Sequence, residues 1–186
     1  MENQQALLQA LSELTARVQA LDDIERIKEL QLQYWRAVDQ KNPELLRSLF
    51  FPGAIHIEFE GMQTWTSRDE FVQTFIELGM DPARQENHFG LNPIIKFSAA
   101  DTASATWRLF MFAYNVASRT VIRISGMYDA GYVREEGAWL IKTLIFRRHS
   151  IHCEQIQADG KVEVPDFGQL SDEAASHLFG DETNVR

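Results

Sequence analysis

Four long runs of aromatic and β-branched residues dominate the second half of this chain, at residues 89–98, 103–114, 120–134 and 138 to about 152. Their connectors are short: residues 99–102, 115–119 and 135–137. Turns of that length join antiparallel neighbours, because a parallel return needs a crossover of a dozen or more residues. The runs therefore predict an antiparallel meander whose strands exceed the usual five or six residues. Long strands that twist and curl around a cover leave a concave interior, suited to an apolar cavity open at one end.

The cover lies N-terminal to the meander. The first proline is Pro43 and the first glycine is Gly53, so some forty residues carry no strong breaker. Leu7, Leu11, Leu14, Val18 and Leu21 recur at spacings of four, three, four and three, a seam about two heptads long. It fits an arm packed on its own domain or on a neighbouring subunit, ahead of a free-standing coiled coil. Asp22, with Glu25 three residues on, predicts the cap of a second helix that carries Ile24, Ile27, Gln31, Tyr34 and Val38 on one stripe. Asn42-Pro43 starts a further helix, and Ser67-Arg68-Asp69-Glu70 is a full capping box for another that stops at Gly79. Between these two lies a strand over 54–60, where Ile55, Ile57 and Phe59 alternate with His56, Glu58 and Glu60. Helices first and a sheet afterwards make the fold class α+β. The expected division is an arm at 1–20, a domain at 21–153 and a polar tail at 154–186, with one short helical candidate after Ser171.

The chain has 186 residues, 45% of them apolar, enough for one packed domain. A net charge of −9 argues against nucleic acid and anionic membranes, which need a basic surface. No apolar run has transmembrane length, and the N-terminus lacks the basic-then-apolar order of a signal peptide, so a cytoplasmic location is expected. A lone cysteine, Cys153, leaves no disulfide framework and no Cys-rich zinc site. There is no Gly-rich phosphate loop, no zinc-type His-Glu-x-x-His and no nucleophile-elbow serine. The expectation is chemistry by side chains alone, with no cofactor and no metal.

His88 stands at the head of the first long strand, where an imidazole can act as general base if a carboxylate orients it. Asp39, at the end of the second helix, is the carboxylate to pair with it. Tyr34 brings a phenol into the apolar stripe of the same helix, where its hydroxyl needs a partner. At ~100° per residue, Tyr34 and Asp39 lie about 140° apart, so their convergence requires a bend or fraying near Asp39. Arg147 and Arg148 point to opposite faces of the last strand, so one of them turns inward. An inward arginine at a cavity mouth can polarise a carbonyl or hold an anion. His56 is expected at the surface, while His149, His152 and His177 are weaker candidates.

Ile27-x6-Tyr34-x4-Asp39, then Leu49-Phe50, a strand, a capped helix and His88 resemble the start of a SnoaL-like domain. Gly126-Met127-Tyr128-Asp129-x2-Tyr132 and Glu136-Gly137-Ala138-Trp139-Leu140-Ile141 resemble its closing strands. The resemblance spans roughly residues 20–153. It implies the cone-shaped α+β barrel of nuclear-transport-factor-two-like proteins, a curved antiparallel sheet wrapped around N-terminal helices with an internal cavity. Within that superfamily the likeness is to the scytalone dehydratase and bile-acid dehydratase branch. It implies a cofactor-independent lyase in which His88, oriented by Asp39, removes a proton while Tyr34 or Arg148 stabilises the oxyanion. It also implies assembly as a homo-oligomer, a trimer or a dimer. The third-strand core, Ala105-Thr106-Trp107-Arg108, supplies no second carboxylate.

The expected reaction is a dehydration, or an isomerisation by the same enolate chemistry, on a hydroxylated aromatic, polyketide-like or steroid-like ring compound. Phe59, Trp65, Trp107 and Tyr114, with Phe110 or Phe112, are the residues expected to hold it. Both parities of the Trp107 strand are aromatic, so either set is able to face the cavity. Two other readings stand beside this one. The first is C–C cleavage releasing formaldehyde from lignin-type aromatics. The second is a non-catalytic accessory subunit or ligand-binding module, as in ring-hydroxylating dioxygenase small subunits.

Overall fold

A single helix, α1 (Glu2–Asp39), runs through the position where a second cap was expected. Asp22 and Glu25 serve its surface instead: Asp22 pairs with Arg26 at 2.8 Å and Glu25 with Lys28 at 2.7 Å. With no Gly or Pro to stop it, a capping sequence in mid-helix becomes a set of neighbouring-turn ion pairs. The structure is a computed structural model and describes residues 2–164. His177 and the helical candidate after Ser171 lie outside the described residues.

The short helices follow their caps. In α2 (Pro43–Leu49) the Asn42 side chain accepts from the Leu45 amide at 2.9 Å. In α3 (Arg68–Thr74) the Ser67 hydroxyl accepts from the Glu70 amide. The residues up to Gly79 were expected to continue α3 but form a π-helical turn, Phe75–Gly79.

The strands are β1 (Ala54–Phe59), β2 (Thr64–Ser67), β3 (Arg84–Ala99), β4 (Thr102–Asn115), β5 (Thr120–Glu135), β6 (Ala138–Ile156) and β7 (Val162–Glu163). They form one curved sheet in the order β2-β1-β6-β5-β4-β3, with β7 on β6. The meander β3 to β6 is antiparallel throughout, and β1 joins it parallel to β6. The sheet does not close on itself: β2 and β3 are its ends. Bulges bend it at Leu91/Ile94 in β3 and at His149 in β6, opposite Ser125/Gly126. Asn92, at φ 48°, and Pro93 occupy the first bulge. Before it the inward residues are even-numbered, ending in His88 and Gly90; after it they are Ile95, on the core, and Phe97, on Trp139.

The domain-facing stripe of α1 fills the concave side at its closed end. Trp35 meets Trp107 edge-on with ring centroids 5.4 Å apart. Gly90 lies over Trp35 so closely that a Cβ there would enter the indole ring. Buried polar groups need partners, and a relay supplies them: Trp107 Nε1 donates to the Tyr132 hydroxyl at 2.9 Å, which donates to Gln31 Oε1 at 2.6 Å. Where α1 enters the domain, Trp139 Nε1 donates to Asp23 at 3.0 Å, and Arg134 pairs with the same carboxylate. Among the described residues no helix is long and apolar enough to cross a membrane.

Candidate active site

Beyond the Trp35 layer the interior is hollow. A cavity of about 180 Å³ opens between β3–β6, the end of β1, α3 and the π-helical turn. Its walls are mostly apolar. Leu109, Met111 and Ala113 come from β4, Ile122, Ile124 and Tyr128 from β5, and Phe71, Phe75 and Leu78 from the helical side. The polar exceptions are few: Tyr34, Glu60, Thr74, Arg84, Glu86, His88 and Arg148.

Strand β3 places three of them. It begins at Arg84, four residues before His88, because the polar segment Arg84–Asn87 finds partners on the far end of β4, from Asn115 back to Phe112. A strand period of two then sets Arg84, Glu86 and His88 on the same inward face. Arg84 Nε lies 2.9 Å from Glu86 Oε1, both side chains largely buried.

Asp39 is the last residue of α1, and its carboxylate reaches across to β3. Oδ1 lies 2.6 Å from His88 Nδ1, and Oδ2 accepts from the His88 backbone amide at 3.0 Å. The side chains are 22% and 9% exposed, the carboxylate behind the imidazole and the imidazole in the cavity wall. A carboxylate accepting from Nδ1–H leaves the Nε2 lone pair as the basic position. The helix stays regular through Asp39, closing with Gln40 N donating to Arg36 O at 2.9 Å. Tyr34 and Asp39 serve one site because β3 crosses the end of the helix, with no bend or fraying.

Tyr34 sits on the cavity floor, 3% exposed, facing Tyr128 edge-on at 6.3 Å between ring centroids. Burial is the main cause that holds the Tyr34 hydroxyl well above the usual tyrosine range, reinforced by Tyr128 and by the carboxylates of Glu86 and Asp39. Burial raises Tyr128 as well. Both phenols are therefore neutral donors at any physiological pH. Across the cavity Arg148 faces inward, while Arg147 turns out to pair with Glu58 at 2.6 Å. The Arg148 amide donates to Glu60 Oε2 at 2.8 Å, and its guanidinium lies 3.9 Å from Oε1. Lys41 Nζ donates to the Gly79 carbonyl at 2.7 Å, tying the end of the π-helical turn to the end of α1. Among the described residues no three His, Cys, Asp or Glu side chains are grouped to hold a metal ion.

Phe59 and Trp65 line the cavity. Trp65 is fixed by donation from Nε1 to Thr74 Oγ1 at 2.9 Å. Trp107 is buried in the Trp35–Tyr132 layer below, and Tyr114 shares the outward parity of Phe110, which is 41% exposed. Four further cavity residues, Arg84, Glu86, Glu60 and Tyr128, are not among the candidates that the sequence suggests for the site. The first two carry no local signal, since Arg84 to His88 are all polar and lack both the alternation and the β-branched residues that mark a strand.

An open, curved sheet over N-terminal helices, with a polar cluster in its mouth, defines a class of small α+β domains. The SnoaL-like domain model matches residues 19–145, and the chain belongs to that family. Solved structures agree on the fold. A type 2 hexachlorocyclohexane dehydrochlorinase superposes with a TM-score of 0.66 at 20% identity, covering 73% of this chain and 90% of that one. A protein provisionally named scytalone dehydratase, from Novosphingobium aromaticivorans, gives 0.66 at 20%, covering 73% and 89%. A provisionally named dehydratase of the nuclear-transport-factor-two-like family, from Streptomyces avermitilis, gives 0.61 at 14%, covering 69% and 98%. At such identities the likeness is one of fold.

Proposed function

We propose that this protein is a cofactor-independent lyase that dehydrates a small hydroxylated ring compound, or isomerises one through the same enolate. The single observation that carries this is the Asp39–His88 pair set into the wall of an otherwise apolar cavity. His88 Nε2 takes a proton from the carbon beside a substrate carbonyl, while Asp39 holds the ring and stabilises the imidazolium. The charge that develops on the carbonyl oxygen is met by the neutral Tyr34 hydroxyl and by Arg148. In a dehydration the departing hydroxyl then takes the same proton from the imidazolium and leaves as water, so His88 returns to its starting state. In an isomerisation the proton goes back to a different carbon. Glu86, held by Arg84 on the same strand face, accepts a hydrogen bond from a substrate hydroxyl and sets the ring's orientation. Phe59 and Trp65 supply the ring contacts.

The cavity's size narrows the substrate class. An apolar cavity of ~150 Å³ holds benzene, so about 180 Å³ suits a single ring with small substituents better than a four-ring steroid. The test is a screen of single-ring β-hydroxy ketones, read by the absorbance of the conjugated product, with wild type, His88→Ala and Asp39→Asn in parallel. The expected result is turnover by wild type that falls by at least about 100-fold in both variants, with both variants still folding cooperatively. Undiminished turnover in His88→Ala overturns the proposal. Tight binding of these ketones by wild type without turnover marks a binding module instead.

A further inference from the structure

From residue 3 to residue 22 every position of α1 is exposed. Leu7, Leu11, Leu14, Val18 and Leu21 are 51–63% exposed, on a helix that continues unbroken into the domain. Some twenty residues of lone helix are marginal in water, and most helical stability comes from packing an apolar face. Among the described residues nothing covers this face. Its end is sharp. Glu25 and Lys28 occupy the next two positions of the seam and pair with each other at 2.7 Å, while Asp23, on a different side of the helix, is already turned inward to Trp139.

We propose that residues 3–22 of α1 dock against the same segment of a second copy of this chain as a parallel, in-register, two-stranded coiled coil. Taken as heptads, the seam reads d-a-d-a-d, with leucine at all three d positions and Val18 at one of the two a positions. Leucine at d with a β-branched residue at a is the combination that favours parallel pairs. The flanking charges select the same arrangement. Arg17 falls at g and Asp22 at the e position five residues later, which in a parallel coil brings Arg17 against the partner's Asp22 on both sides of the two-fold axis. An antiparallel coil sets g against g and e against e; Arg17 would then face Asn3, Ala10 or Arg17, and Asp22 would face Leu8, Thr15 or Asp22, with no opposite-charge pair.

The experiment is disulfide trapping of the full chain with its one cysteine removed by Cys153→Ala. Leu14→Cys, at the central d position, is compared with Ala16→Cys, on the outward side of the same helix. At micromolar protein in a glutathione buffer, Leu14→Cys should form the covalent dimer at least about tenfold faster, because the coil holds the two thiols at a high effective concentration. Adding Arg17→Glu should slow trapping, and adding Asp22→Arg to that should restore it. The four helix substitutions lie at exposed positions, and Cys153→Ala, the one change at a buried position, is common to every variant compared. Equal rates at 14 and 16, or failure of the reversed pair to restore trapping, overturn the proposal. So does trapping that appears only after residues 165–186 are deleted, since that segment would then be the occupant of the seam.

Discussion

Asp39 grips His88 twice: Oδ1 lies 2.6 Å from the ring's Nδ1, and Oδ2 accepts from the backbone amide at 3.0 Å. One carboxylate thus aims the imidazole and fastens strand β3 to the end of helix α1. The two roles separate by mutation.

Asp39→Asn keeps an oxygen for the backbone amide but offers the ring a neutral partner. Stability should stay within about 1 kcal/mol of wild type, while turnover falls by about 10²–10⁴-fold. Asp39→Ala removes both acceptors and should cost about 1–3 kcal/mol by stranding partly buried donors. Urea unfolding of the two variants, set beside their turnover, separates the roles. Equal destabilisation by both would mean that Asp39 is purely structural.

Gly90, two residues beyond His88, marks where β3 is pressed onto Trp35. Gly90→Ala drives a methyl group into the indole and should cost about 3 kcal/mol. Because the clash is with one named ring, Trp35→Leu should be less harmful in the Gly90→Ala background than in wild type. Purely additive losses in a double-mutant cycle would reject that account.

The parts of the fold legible in the sequence are those written in local chemistry. The four long runs, the short connectors and the caps at Asn42 and Ser67 each follow from propensity or a side-chain-to-backbone bond. The pairing of Asp39 with His88 followed from their positions at the ends of adjoining elements. What stayed hidden depended on tertiary contacts. Arg84 and Glu86 are strand residues only because β4 extends to receive them. Asp22 and Glu25 form a valid capping box that the unbroken helix ignores. The facing of the Trp107 strand is decided by the Trp35 layer, since Phe110 and Phe112 would satisfy propensity equally well in either orientation.

Tyr34, Tyr128 and Tyr132 are all held above the ordinary tyrosine range, in each case chiefly by burial. The chain has four tyrosines, so a phenolate titration at 295 nm should show at most one tyrosine's amplitude by pH ~10. A folded-state value above the unfolded one supplies stability that is complete below the unfolded pKa and is lost as pH rises beyond it. The remaining amplitude should therefore appear together with alkaline unfolding. Smooth ionisation of Tyr34, Tyr128 and Tyr132 in the folded protein near pH 10 would contradict their burial.

Asp23 behaves in the opposite sense at the other end of the domain. Burial pushes its carboxyl up, but hydrogen bonds from Trp139, Arg134 and Gln19 outweigh that and hold it below the usual aspartate value of 3.8. A depressed folded-state pKa supplies stability that is present above the unfolded value and lost as pH falls through the folded one. Asp23→Asn keeps an oxygen for Trp139 and removes the charge facing Arg134, a side chain that also stacks on Trp139 with its guanidinium carbon 4.6 Å from the ring centroid. The variant should be less stable than wild type by about 1–3 kcal/mol at pH 7. That gap should narrow towards pH 3, as wild-type Asp23 takes up a proton and becomes the neutral group that Asn imitates. Urea unfolding of both proteins at the two pH values measures it directly. A gap of the same size at both would show that the asparagine is harmful for its shape and that the Asp23 charge contributes nothing to holding α1 on the sheet.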